Sequence, residues 1–202
     1  MASSLTPIVL AAGASSRMGR PKPLLDLDRK TALARVLEAC RDAALSKPIV
    51  VLGHAAAEVR KAVDLAGAVV MENPEPARGM GSSLRIGLEA LPAEARGFLI
   101  YPVDYPLVTW RELVLLEEKF EHDHRHQIYI PTFEGKRGHP VACDRALAAE
   151  FLTLGADEPA HRVIRKDPVR VLEVPVANPW VCRDLDTEED YWKAIKSLGD
   201  TV

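Results

Sequence analysis

The residues best suited to chemistry begin at Leu10-Ala11-Ala12-Gly13-Ala14-Ser15-Ser16-Arg17-Met18-Gly19-Arg20-Pro21-Lys22, a run of small side chains that ends in cations. Gly13 and Gly19 permit positive φ and close backbone approach. Ala14, Ser15 and Ser16 keep the surface low, so several N–H groups can face one anion. Arg17, Arg20 and Lys22 add positive charge that the loop does not neutralise. A nucleoside triphosphate, with its many phosphate oxygens, fits such a loop. The spacing is neither a Walker A loop nor Gly-x-Gly-x-x-Gly: five residues separate Gly13 from Gly19, and no Gly-Lys-Ser/Thr closes the run. Work on a triphosphate also calls for carboxylates that hold magnesium, a hard cation taking oxygen ligands. Asp104, in Pro102-Val103-Asp104-Tyr105-Pro106, and Asp186, in Asp184-Leu185-Asp186-Thr187, are the candidates, with Asp184 the weaker. One Mg2+ can serve both Asp104 and Asp186 only if their carboxylates lie within about 10 Å, since its ligand bonds are ~2.1 Å. Without a cation the two repel, so they are expected to be held apart or hydrated in the empty protein.

Further groups stand beside these. Gly79-Met80-Gly81-Ser82-Ser83-Leu84 offers N–H and hydroxyl groups for a second nucleotide contact, with Ser82 or Ser83 expected to cap a helix. Lys136, Arg137 and His139 cluster with Gly138 in a turn-and-return strand, which reads either as a simple hairpin or as a basic edge facing an incoming phosphate. No side chain is an obvious general base, and an attacking phosphate, already ionised at neutral pH, needs none. Positioning and charge stabilisation then carry the catalysis.

The elements that must position these residues follow from periodicity. Apolar runs at 8–12, 48–53, 67–71 and 98–101 read as strands, the second being a continuous run suited to a buried parallel strand. Helical spacing follows Thr31, with Leu33, Val36, Leu37 and Cys40, and a helix is expected over 55–65. Thr109 and Glu112 have capping-box spacing ahead of Leu113, Leu116 and Phe120. Strands at 127–131 and 169–174, helices at 144–152 and 157–166, and a last helix capped by Thr187 complete the chain. Alternating strands and helices imply parallel pairing with right-handed crossovers. Ligands of such sheets bind outside the carboxyl ends of the strands, where the Gly13 loop and Asp104 both fall.

Composition sets the bounds. The 202 residues suit a single domain spanning 1–202. A net charge of −3 gives the whole molecule no electrostatic match to nucleic acid or an anionic membrane, so local basic sites must bind any phosphate. Cys40, Cys143 and Cys182 are odd in number and far apart; they read as buried apolar residues of a protein in a reducing cytoplasm. No apolar run approaches the ~20 residues of a membrane span, and no Lys or Arg precedes the first apolar run as a secretory signal requires. His122, His124 and His126 share a face if extended, but their charged surroundings favour a solvated loop over a metal site.

The loop closely resembles the signature Leu-Ala-Ala-Gly-x-x-x-Arg-Met-Gly of the nucleotidyltransferases, with a lysine three residues on. Gly-Met-Gly-Ser-Ser-Leu, Pro-x-Asp-x-Pro, Gly-His-Pro and Asp-x-Asp-Thr-x-Glu-Asp resemble further motifs of the MobA-like branch, in that family's order and over most of the chain. Tyr105 stands where methionine is common and Glu188 where proline is common; neither departure removes a ligand. The resemblance implies a three-layer α/β/α nucleotidyltransferase fold, Rossmann-like, with a mostly parallel mixed sheet. It implies that residues 10–17, Lys22, Gly79, Gly81, Ser82 and Ser83 bind nucleotide, that Asp104 and Asp186 bind magnesium, and that Lys136, Arg137 and His139 face the acceptor. Within the family the chain is most similar to molybdenum cofactor cytidylyltransferases, which join CMP from CTP to molybdopterin phosphate and release pyrophosphate. Guanylyl relatives usually carry Leu-Ala-Gly-Gly, so Ala12 favours CTP over GTP. A molybdoenzyme or its chaperone is then a further candidate partner. A sugar phosphate or other small phosphate as acceptor, and a regulatory nucleotide-binding module without turnover, remain as alternatives.

Overall fold

The computed structural model describes residues 3–13, 19–155 and 158–199. Strand β1 (Leu5–Ala11) is central and buried throughout. β2 (Ile49–Leu52) pairs parallel with it on one side, β3 (Val69–Glu72) adds parallel to β2, and β4 (Gly97–Pro102) pairs parallel on the other side. β5 (Ile128–Phe133), β6 (Lys136–Arg137), β7 (Val141–Asp144) and β8 (Val171–Pro175) complete an eight-stranded sheet. Its order is β3-β2-β1-β4-β7-β5-β6, with β8 parallel to β5. β7 runs antiparallel to both β4 and β5, which makes the sheet mixed.

The helices are α1 (Ala32–Asp42), α2 (Ala56–Ala62), α3 (Met80–Glu89), α4 (Trp110–His122), α5 (Ala148–Thr153), α6 (His161–Arg165) and α7 (Glu188–Gly199). Side chains alternate across a strand, so β1 feeds two cores. Val9 and Ala11 pack with Leu33, Val36, Val59, Leu113 and Phe120 of α1, α2 and α4. Ile8 and Leu10 pack with Leu84, Leu88, Phe151 and Val163 of α3, α5 and α6. The result is the expected three-layer α/β/α nucleotidyltransferase fold. A smaller cluster of Leu25, Leu27, Leu107, Trp180, Leu185 and Ala194 seats α7. Among the described residues no helix is long and apolar enough to cross a membrane.

The caps agree with the sequence in part. Thr31 accepts from the Ala34 N–H at 3.2 Å, and Thr109 and Glu112 form the reciprocal capping box of α4. Thr187 Oγ1 accepts from the Asp190 N–H at 3.2 Å at the start of α7. α3 is different: it begins at Met80, capped by Gly79 at φ 92° with no side-chain bond, so Ser82 and Ser83 lie inside its first turn. Helix 55–65 stops at Ala62, because Val63 turns extended. The 144–152 segment starts as the end of β7 and a 3-10 turn at Arg145–Leu147 before α5, and the 157–166 helix narrows to α6. Cys40 and Cys143 are buried as expected; Cys182 is only partly so and directs its Sγ to the Lys136 carbonyl at 3.1 Å. His122 is the last residue of α4 rather than part of a loop and bonds one turn back to Glu118 O at 2.8 Å, while His126 in the following polar loop bonds to Asp123 Oδ2 at 2.5 Å.

Candidate active site

β1 runs out into Ala12 and Gly13, and β4 into Val103 and Asp104, with the Val103 N–H donating to Leu10 O at 3.1 Å. Parallel strands deliver both segments to one edge. β7, being antiparallel, starts where β4 ends: Val141 pairs with Ile100, so Gly138, His139 and Pro140 enter at that same edge. The stretch before α7 is tied in by the Leu185 N–H, which donates to Asp104 O at 2.9 Å. Leu185 is fully buried. In an extended chain its neighbours take the opposite side, and Asp184 and Asp186 therefore join Asp104. One carboxylate oxygen from each of the three lies within 4.8 Å of the others.

Lys22 opens the 3-10 turn Lys22–Leu24 behind Pro21. Its Nζ is 2.9 Å from Asp104 Oδ2 and also donates to Asp186 Oδ1. The lysine and Asp104 side chains are 17% and 22% exposed, so this pair is screened less than a surface ion pair. Burial opposes the ammonium charge, but Asp104 and Asp186 together raise its pKa above the ordinary lysine value. The two carboxylates are thus not held apart, as charge repulsion alone suggested; an ammonium with three donors bridges them. Burial, and then the charges of Asp186 and Asp104, raise the Asp184 carboxyl above its ordinary value against a backbone hydrogen bond. Asp104 Oδ1 is buried with no hydrogen-bond partner among the described residues. An orphaned carboxylate oxygen beside two further carboxylates, with no thiolate or imidazole in the cluster, fits a hard divalent cation.

His139 sits beside this cluster. Its ring centroid is 4.8 Å from that of Tyr105, tilted 47°, and its N–H donates to Val181 O at 2.8 Å. Gly138 is required for that approach, since a Cβ there would stand 2.2 Å from Val181 O. Burial lowers the His139 pKa, against the pull of Asp104, which keeps the ring neutral at neutral pH. Burial, followed by the charges of Asp184 and Asp104, raises the Tyr105 pKa and keeps the phenol un-ionised. Lys136 and Arg137 are exposed on β6, and Arg137 Nε donates to Glu173 Oε1 at 2.8 Å.

Of the first loop, Leu10, Ala11 and Ala12 are buried, Gly13 is exposed, and Gly19 has φ 60°. Ala14, Ser15, Ser16 and Arg17 lie outside the described residues. The second loop has an organiser that sequence reading passed over as part of a polar loop. Asn73 follows β3, is buried, and donates through Nδ2 to Ser82 Oγ at 2.8 Å and Ser83 Oγ at 2.9 Å. Its Oδ1 accepts from the Glu75 N–H at 2.9 Å, and its own N–H donates to Leu52 O at 2.8 Å. The serine hydroxyls are therefore held inward, and Gly79 and Met80 form the exposed tip. The signal available was an Asn-Pro directly after a strand. A cavity of about 360 Å³ adjoins this loop, lined by Asn73, Arg78, Gly81, Ser82, Arg85 and Phe151 among others.

A family profile described as the MobA-like NTP transferase domain matches residues 7–171. Over 120 residues the chain is 34% identical to the bifunctional protein GlmU of Psychrobacter sp. (strain PRwf-1), covering 58% of this chain and 26% of that protein. The chain spans about a quarter of the length of the curated relatives it matches. Among solved structures, a homologue of Mycobacterium tuberculosis Rv0371c from Mycobacterium sp. strain JC1 superposes with a TM-score of 0.86, at 30% identity over 100% of both chains. Rv0371c of M. tuberculosis H37Rv, crystallised with manganese, gives a TM-score of 0.81 at 30% identity, covering 97% of this chain and 100% of that one.

Proposed function

Because the chain belongs to the MobA-like NTP transferase domain family, we propose that it transfers CMP from CTP to the phosphate of molybdopterin, releasing pyrophosphate, with Mg2+ as cofactor and residues 1–202 acting as one domain. The observation that carries this reading is the junction of Asp104, Asp184, Asp186 and Lys22 at the sheet edge next to the Gly13 loop. Asp104 and Asp186, with Asp184 beside them, would hold the cation; a bound divalent ion offsets charge on the α-phosphate and the departing pyrophosphate. The manganese in the Rv0371c crystal supports a divalent cation of this kind.

The remaining work falls to the chain. The Gly13 loop, with Arg17 and Lys22, cradles the triphosphate. Gly79, Gly81, Ser82 and Ser83 border the nucleoside, with Asn73 fixing the serines and the loop backbone making the contact. An acceptor phosphate oxygen forms the new bond to the α-phosphorus as the bond to the bridging oxygen breaks. That oxygen arrives ionised, so neutral His139 has no proton to take and serves to orient the acceptor, with Lys136 and Arg137 at the rim. Ala12, buried where guanylyl relatives carry glycine, supports CTP.

A second reading keeps the chemistry and changes the acceptor to a sugar phosphate. It is favoured by curated relatives such as the GlmU proteins of two Psychrobacter strains. The test is a screen of the four triphosphates with Mg2+, measuring binding and then pyrophosphate release on adding molybdopterin. CTP binding followed by acceptor-dependent release is expected. Release with sugar phosphates only would move the assignment to the second reading. Binding without release from either acceptor would indicate a regulatory module.

A further inference from the structure

The carboxylates proposed to hold the cation are bridged by a cation of the chain itself. Lys22 Nζ is 2.9 Å from Asp104 Oδ2 and donates to Asp186 Oδ1 as well. A divalent ion bridging these two aspartates at cation–oxygen distances of ~2.1 Å would occupy the position that the ammonium holds between Asp104 Oδ2 and Asp186 Oδ1. Lys22 is also one of the loop cations that a triphosphate would attract.

We infer that Lys22 is a placeholder for the metal, so that the site takes a cation–triphosphate pair and binds free cation poorly. This rests on the reading of Asp104 and Asp186 as cation ligands. The triphosphate offers Lys22 other anionic oxygens, and the carboxylates it leaves are open to the divalent ion. The bridging geometry also explains how carboxylates that repel each other stay in position before substrate arrives. The two ligands therefore help each other bind, and by linkage each raises the other's affinity by the same factor. Asp104 Oδ1, buried and without a partner among the described residues, remains the one oxygen of that carboxylate not occupied by the lysine.

The test is Mn2+ binding followed by the electron paramagnetic resonance of the free ion, with the α,β-methylene analogue of CTP as the non-reacting triphosphate and a correction for Mn2+ bound by the analogue alone. Wild-type protein is expected to bind Mn2+ alone at least tenfold more weakly than with the analogue present. Lys22→Met is expected to bind Mn2+ alone at least tenfold more tightly than wild type, and the analogue should then add less. Asp104→Asn with Lys22→Met should lose that gain. A Lys22→Met protein that binds Mn2+ no better than wild type overturns the inference. If that variant does not fold, equal Mn2+ affinity of wild type with and without the analogue overturns it instead. A different result separates the underlying reading: if Asp104→Asn leaves Mn2+ affinity unchanged in the presence of the analogue, Asp104 is not a cation ligand at all.

Discussion

Asp104 and Asp186 belong to stretches 82 positions apart in the chain, yet both meet Lys22. The position of Asp104 was legible from its place at the carboxyl end of a strand, whereas its pairing with Asp186 drew support from the resemblance to the nucleotidyltransferase motifs. The bridging by Lys22 was not legible, since repulsion between carboxylates says nothing about which cation relieves it. Asp104→Asn or Asp186→Asn should lower turnover at least a hundredfold while leaving the fold intact; circular dichroism and steady-state rates check both. Arg17→Ala or Lys22→Ala should weaken triphosphate use by roughly ten- to a hundredfold, the range expected for a lost charge-assisted contact. Asp184 predicts a stability effect with a definite sign. Its folded-state pKa is raised, so its ionised form is disfavoured by folding, and its contribution is lost as pH rises through the folded value. Asp184→Asn should therefore raise Tm at pH 7, with the gain shrinking as pH falls through the raised folded value and gone below the ordinary carboxylate value. A Tm change of opposite sign at pH 7 would show the site relieving that charge by other means.

Among the elements, the parallel pairing of the first strands was readable from apolar runs separated by helical spacing, the antiparallel β7 was not, and the capping box of α4 was readable residue by residue. The start of α3 was misread. Serine is a strong capping residue by local preference, but Asn73 at the end of β3 binds both hydroxyls, a contact between elements that local preference does not contain. Asn73→Ala should cost about 1–3 kcal/mol by stranding buried partners, and it should raise the Michaelis constant for the triphosphate more than that for the acceptor. Equal effects on both substrates would reduce Asn73 to a structural role. The Gly138 turn has the converse expectation. Gly138→Ala forces the backbone away from Val181 O, where a Cβ would sit at 2.2 Å. The acceptor's Michaelis constant should rise more than that of the triphosphate, as should happen with His139→Ala.

For the whole molecule, the three-layer order puts Lys22, Asp104, Asp184 and Asp186 at one sheet edge, and a net charge of −3 leaves substrate attraction to local cations. Nucleotide choice is carried by few atoms: Ala12→Gly should narrow the preference for CTP over GTP if the buried methyl group shapes the base pocket. The acceptor was the least legible feature, because the segments proposed to face it, β6, the Gly138 turn and the chain before α7, share no periodicity. The central claim is nucleotidyl transfer at the Asp104–Lys22 edge, and the most direct measurement follows the label of α-phosphate-labelled CTP in the presence of Mg2+ and molybdopterin. The account predicts that label moves into the pterin product in step with pyrophosphate release, and that Asp104→Asn reduces both at least a hundredfold. Label that stays in CTP with the folded wild-type protein, or full transfer by Asp104→Asn, would contradict it.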